Sequence, residues 1–167
     1  MDRDQDYAAY VAARWAGLVR AAVLLGCSRA DAEDLVQTAL VRCYGAWSRV
    51  QRADDPDAYV YRVLLNCLAS SRRRRWWGER PTDQLPATKA DDHAEITAIR
   101  ASVESALAGL GEDQRRVLVL RFWADLTERQ VAEVLGVAVG TVKSRTSRAL
   151  AALSTQLGDG TAARRSS

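Results

Sequence analysis

The side chains able to do chemistry in this chain are basic residues set among aromatics or short polar groups, and they gather in two places. From 62 to 80 the chain carries Arg62, Arg72, Arg73, Arg74, Arg75 and Arg80 against Glu79 alone, with Tyr59, Tyr61, Trp76 and Trp77 in or beside the run. Cations beside aromatic faces suit unstacked or flipped bases, because a guanidinium grips phosphate while a ring stacks on the base. A row of four arginines also suits a solvated helix end, where the dipole favours cations, and Trp76 and Trp77 could equally cap a core. The second place lies between Gly136 and Leu153. It carries Lys143, Arg145 and Arg148 with no acid, and Thr141, Ser144 and Ser147 add short donors and acceptors. Those residue types read base edges and hold phosphates in duplex DNA.

Other chemistries lack their parts. A single histidine, His93, in a polar stretch and the absence of any CxxC leave neither a zinc site nor a Ser-His or Cys-His pair to be expected. There is no GxGxxG and no P-loop. Asp54, Asp55 and Asp57 are the one acidic cluster near the basic run, and Asp55-Pro56 explains it as a helix start, so a nucleic-acid enzyme is not expected. The expectation is a protein with no catalytic residues, no cofactor and no metal. Cys27, Cys43 and Cys67 sit in apolar patterns and read as small core residues in a reducing cytoplasm.

The elements that must position these residues are helical. Across 167 residues, 48% hydrophobic and 27% charged is a globular balance. The net charge of +3 is too small to name a partner by itself. All basic residues except Lys89 and Lys143 are arginine, which suits phosphate and base contact but would follow equally from a GC-rich genome. No apolar run reaches the roughly 18 residues of a membrane span, and the acidic start lacks a signal-peptide core, so a cytoplasmic location is expected. Tyr7, Tyr10, Val11, Trp15, Leu18, Val19 and Ala22 recur at helix spacing, as do Leu35, Val36, Ala39, Leu40, Cys43, Tyr44 and Trp47, and then Val60, Val63, Leu64, Cys67 and Leu68. Ser28 can cap the second helix and Asp55 the third, with Pro56 in its first turn.

Residues 81–92, with Pro81, Pro86, Asp83, Asp91 and Asp92, read as a linker that could extend to about 40 Å. Beyond it, Ile99, Val103, Leu107 and Leu110 form one amphipathic helix, and Val117, Leu118, Leu120, Phe122 and Trp123 the next. Thr127 and Gln130 fit a capping box. Val131, Ala132 and Leu135 give the buried face of a two-turn helix that Gly136 ends, and a basic helix follows: the helix-turn-helix pattern. The fold class expected is all-α, as two small helical domains joined by an extended linker. The expected division is 1–80, linker 81–94, 95–155, and a disordered tail over 156–167.

The ordered part of the chain, residues 5–155, resembles bacterial RNA polymerase sigma factors of the extracytoplasmic-function (ECF) type, and within them the actinobacterial SigE-family group. The resemblance lies in DAEDLVQTAL (31–40), RADDPDAYVYRVLLNCLASSRRRRW (52–76) and VLVLRFWADLTERQVAEVLGVAVGTVKSRTSRAL (117–150), in that order and separated by a Pro/Asp linker. It implies that 1–80 is sigma region 2 and 95–155 is sigma region 4. It implies docking of Asp34, Leu35, Gln37, Thr38 and Leu40 on the β′ clamp helices of core RNA polymerase, with the β flap as a further contact. Capture of the −10 element would fall to Arg52, Asp55, Tyr59, Tyr61, Arg62, Asn66 and Arg72 to Arg75. Readout of the −35 element would fall to Thr141, Lys143, Ser144, Arg145 and Arg148. The acidic linker would thread toward the polymerase active centre, and an anti-sigma factor is a plausible partner. Gly111-Glu112 stands where relatives often carry Pro, and Ala138 stands where they often carry a capping Ser, so the cap of the recognition helix must come from elsewhere. The other reading of the motif is a stand-alone helix-turn-helix regulator, which would not need the first module.

Overall fold

Side-chain caps set the starts of three of the described helices. In the computed structural model, which describes residues 2–77 and 94–165, α1 runs over Arg3–Leu24, α2 over Arg29–Gly45, α3 over Trp47–Gln51 and α4 over Pro56–Trp76. The Ser28 hydroxyl accepts from the Asp31 amide to start α2. The Asp55 carboxylate accepts from the Asp57 and Ala58 amides to start α4, with Pro56 in the first turn. Then come α5 (Ala94–Ala108), α6 (Glu112–Leu118) with a π-helical turn over Val119–Trp123, α7 (Glu128–Leu135) and α8 (Val139–Arg165). No strand occurs among the described residues, so the architecture is all-α. The chain divides into two compact units, one built on α1 to α4 and the other on α5 to α8. The linker residues Asp83, Asp91 and Asp92, together with Arg80 and His93, lie outside the described residues.

In the first unit α2 packs lengthwise on α4. Val36, Ala39, Leu40 and Cys43 meet the stripe Val60, Leu64, Cys67 and Leu68, all buried, as the helix period requires. Cys27 is only half-buried. Tyr7 and Tyr10 of α1 close over the buried Trp47 of α3, each with ring centroids 5.3 Å from the indole. The Tyr7 hydroxyl donates to the Leu40 carbonyl at 2.9 Å.

The second unit is a helix-turn-helix on a two-helix base. Thr127 and Gln130 form the capping box reciprocally, at 2.8 and 3.2 Å. Gly136, at φ 66°, ends α7 in the left-handed region. The Ala138 carbonyl accepts from Thr141 and Val142, which fixes the start of α8. Val117, Leu118, Leu120, Val131, Ala132 and Val142 form the core. The Arg115 guanidinium gathers the Leu107, Ala108 and Leu110 carbonyls at the end of α5, a cation where the helix dipole is negative.

Four expectations change. The helical pattern through Trp47 is interrupted after Gly45, and α3 is a separate short helix that turns Trp47 and Val50 into the core. The pattern through Trp123 leaves α-geometry: the Ala124 amide bonds five residues back to Val119, so Phe122 and Trp123 rotate out to solvent. On α5, Leu107 and Leu110 are buried but Ile99 and Val103 are exposed, and on α7 Val134 is buried while Leu135 is only half-buried. Finally, the stretch expected as a disordered tail from 156 continues α8 to Arg165. Adding turns to an existing helix avoids the nucleation cost, so Gly158 and Gly160 each cost only about 1 kcal/mol against Ala.

Candidate nucleic-acid interface

The second unit presents its basic face by helix geometry alone. Val142 and Ala149 fix the buried side of α8, and Ser144, Ser147 and Arg148 lie opposite them in solvent. Lys143 stands on one flank, and the half-buried Thr141 and Arg145 on the other. The Lys143 ammonium lies 3.9 Å from Glu128 at the start of α7. The Arg145 guanidinium lies 3.4 Å from Asp113 at the start of α6. Both pairs are open to water and therefore cheap to exchange for phosphate or base edges. Their carboxylates hold the two cations beside the exposed face in the meantime.

The first unit builds its surface from two helices and a loop. Around the start of α4, the exposed Arg52 donates to the Ser48 carbonyl at 3.0 Å, and Asp55 is committed to capping. Tyr59, Arg62 and Asn66 share one face of α4, the first half-buried and the others exposed. Further along, Arg72 is half-buried, Arg73 donates to Ser70 at 3.2 Å and Arg74 is exposed. Arg75 pairs with Asp31 of α2 at 2.6 Å. Trp76 and Trp77 cap no core: they are 88% and 85% exposed.

Tyr61 is the residue that does not join this surface. It is buried, in line with Leu64, Leu65 and Leu68. Burial and the nearby Asp57 carboxylate push its phenol up to about 12. A base cannot stack on a ring enclosed by the core, so its expected role in −10 capture is corrected. Its place in the i, i+3, i+4, i+7 pattern with Leu64, Leu65 and Leu68 was the signal for burial.

On α2 the expected docking residues divide in the same way. Asp34, Gln37 and Thr38 are exposed, whereas Leu35 and Leu40 are buried against the core and cannot touch a partner directly. The surface instead continues through Val41, 64% exposed, and Arg42, which line one shallow groove with Asp34, Gln37 and Thr38. Spacing could have found them, since Val41 follows Gln37 by four residues and Thr38 by three.

A third feature was not anticipated. The Asp57 carboxylate in the first turn of α4 accepts from the Tyr10 hydroxyl at 2.8 Å and is held from both sides by Arg14, at 3.1 and 2.8 Å. Burial, and then this hydrogen bond to a carboxylate, raise the Tyr10 phenol far above its ordinary value. Among the described residues no group of three or more His, Cys, Asp or Glu could hold a metal ion. No described helix is long and apolar enough to cross a membrane.

Comparison with known proteins supplies the frame for these surfaces. The Sigma-70 region 2 family matches residues 11–78, and the Sigma-70, region 4 family matches residues 100–153. The chain is 41% identical over 152 residues to the RNA polymerase sigma-E factor of Streptomyces coelicolor, covering 91% of this chain and 86% of that protein. It is 31% identical over 144 residues to the ECF RNA polymerase sigma factor SigL of Mycobacterium tuberculosis, covering 81% and 80%. Among solved structures, CnrH in complex with the cytosolic domain of CnrY aligns with TM-score 0.68 and 27% identity over 93% of this chain and 90% of that one. The sigma factor RpoE of Bartonella quintana aligns with TM-score 0.76 and 24% identity over 92% and 98%, a likeness of fold.

Proposed function

The chain belongs to the sigma-70 family of RNA polymerase sigma factors, within its ECF group, and from that premise we propose how it directs core RNA polymerase to −35/−10 promoters and helps open the −10 element. The observation that carries the proposal is the pair of separate basic surfaces on one chain, in the order region 2 then region 4. Two promoter elements can then be held by one protein, whereas a dimeric regulator reuses one module at two half-sites. We assign residues 1–80 to region 2, 81–94 to the connection and 95–155 to region 4.

In this reading α8 enters the −35 major groove. Ser144 and Arg148 face the DNA, Arg145 and Thr141 reach base edges from one flank, and Lys143 takes phosphate from the other. The loop 52–55, with Arg52 and the half-exposed Tyr59, receives −10 bases as they leave the stack. Arg62, Asn66, Arg72, Arg73 and Arg74 follow the strand along α4, and Arg75 can join them by exchanging Asp31 for phosphate. A stacked base is worth about 1–3 kcal/mol, which offsets the few kcal/mol of unstacking. Docking on the β′ clamp helices uses Asp34, Gln37, Thr38, Val41 and Arg42, with Leu35 and Leu40 supporting the helix from behind. The β flap would meet region 4. The protein works in the cytoplasm with the polymerase and by binding alone, without a catalytic step of its own. The solved complex of CnrH with the CnrY cytosolic domain supports a place for a regulatory protein partner here as well.

In-vitro transcription with core polymerase on a promoter library tests this reading. Addition of the protein is expected to open promoters that share a −35 and a −10 element. Specific DNA binding without core polymerase, and no open complexes with it, would show a stand-alone regulator instead.

A further inference from the structure

The loop 52–55 is gripped at both ends by one face of α1. Asp6, Tyr10 and Arg14 follow one another at intervals of four and so share a face. At the entrance to the loop, Gln51, the last residue of α3, donates to Asp6 at 3.2 Å. At the exit, Asp57 takes the Tyr10 hydroxyl at 2.8 Å and the Arg14 fork at 3.1 and 2.8 Å. Tyr10 also packs its ring on Trp47 at 5.3 Å, which fixes where its hydroxyl points. The partners are separated by 43 to 47 residues of sequence, so these contacts serve no helix locally. Two of the three, Asp6 and Tyr10, precede the stretch 11–78 that matches region 2.

We propose that α1 is a splint for the −10 loop, and that Asp6, Tyr10 and Arg14 are positioning residues that set which −10 base is accepted. This rests on the reading above that the loop receives −10 bases. A flipped base is selected by groups held within a fraction of an ångström. Short segments that carry recognition need support from rigid elements, and here the bidentate Arg14–Asp57 pair and the Tyr10 bond supply it. The splint touches no base, so its effect lies in discrimination between bases more than in affinity.

The test uses full-length protein on core polymerase and a promoter library with a fixed −35 element and a randomised −10 element. The quantity read is the ratio of opening on preferred against disfavoured −10 sequences within each preparation, so an unfolded fraction cancels. Tyr10→Phe combined with Arg14→Gln is expected to lower that ratio on the order of tenfold, with core binding and the −35 preference unchanged. Arg14→Lys, which keeps a cation beside Asp57, is expected to retain most of the ratio. Two results would overturn the splint. In one, Arg52→Ala shifts the −10 preference but the α1 variants do not, and the loop reading survives alone. In the other, Arg52→Ala combined with Asp54→Ala leaves the preference intact, and the loop reading falls together with the splint.

Discussion

The two units proposed to face DNA hold their cations in different ways. In the helix-turn-helix unit the contacts that hold the cap and the two flanking cations bridge shorter stretches of sequence than those of the other unit. Thr127 meets Gln130, Glu128 meets Lys143, and Asp113 is within the same small unit as Arg145. In the other unit the surface is assembled from afar: Asp6 with Gln51, Tyr10 and Arg14 with Asp57, Asp31 with Arg75. The difference suits the two tasks. Reading duplex DNA needs a rigid helix, which local caps provide. Receiving an extruded base needs a loop held at both ends, which only a neighbouring element can provide.

The largest test of this contrast is the proposed docking on the β′ clamp helices, which uses the first unit alone. Asp34→Arg and Val41→Asp each change an exposed residue of one groove, so the fold is expected to persist. Loss of polymerase binding by about 2–4 kcal/mol is expected from a central interface residue, read by co-purification with core polymerase. Retained co-purification with both variants would move the docking site off α2.

Next in size is Arg145→Ala, expected to weaken −35-dependent initiation by about 1–3 kcal/mol if the guanidinium reads a base edge. The check is initiation on promoters that differ only at −35. An equal loss on every sequence would make Arg145 a phosphate contact. The contrast then sharpens through Asp113→Asn: if the 3.4 Å pair orients Arg145, this variant relaxes −35 preference without removing a cation.

This contrast also explains what could be read from the sequence. The capping box, the αL glycine and the Asp55-Pro56 helix start all use neighbours in the chain, and their positions were legible. So was the basic face of α8, because one helix period separates its buried from its exposed residues. Leu35 and Leu40 were assigned by family position and Tyr61 also as an aromatic beside the arginine run, while the place of all three in the apolar stripes pointed to the core. The α1 splint left no sequence signal: nothing local distinguishes Asp6 or Tyr10 from other residues of an amphipathic helix. The π-turn at Val119–Trp123 was equally silent, since its apolar run satisfies an α-helix until one hydrogen bond skips a residue.

Caps give a paired test of intermediate size. Thr127→Ala and Asp55→Ala each remove a side-chain acceptor from a helix start and are each expected to cost about 1 kcal/mol of stability. Hydrogen exchange should show the loss in α7 for the first variant and in α4 for the second. Only Asp55→Ala should also alter −10 selection, because its cap closes the loop 52–55. Equal effects of both on −10 selection would erase the distinction between the units.

The smallest effect is electrostatic and concerns Asp31. Burial raises the affinity of its carboxyl for a proton, but the Arg75 and Ser28 hydrogen bonds outweigh burial and hold the carboxyl below its ordinary value. A carboxyl depressed in the folded state contributes stability at pH values above its unfolded value and loses it as pH falls through the folded value. The contribution is therefore present at pH 7 and fades in the acid range below about 4. Both partners are substantially solvent-exposed, 43% for Arg75 and 38% for Asp31, so screening keeps the effect to about half a kcal/mol. Asp31→Asn should lower the unfolding midpoint slightly at pH 7, and the gap to the parent protein should close toward pH 3 and in high salt. A gap that stays constant across pH would assign the loss to the Ser28 turn and free Arg75 from any structural duty. Arg75 would then be available to DNA at no cost, and the long-range Asp31–Arg75 pair between α2 and α4 would cease to set the first unit apart.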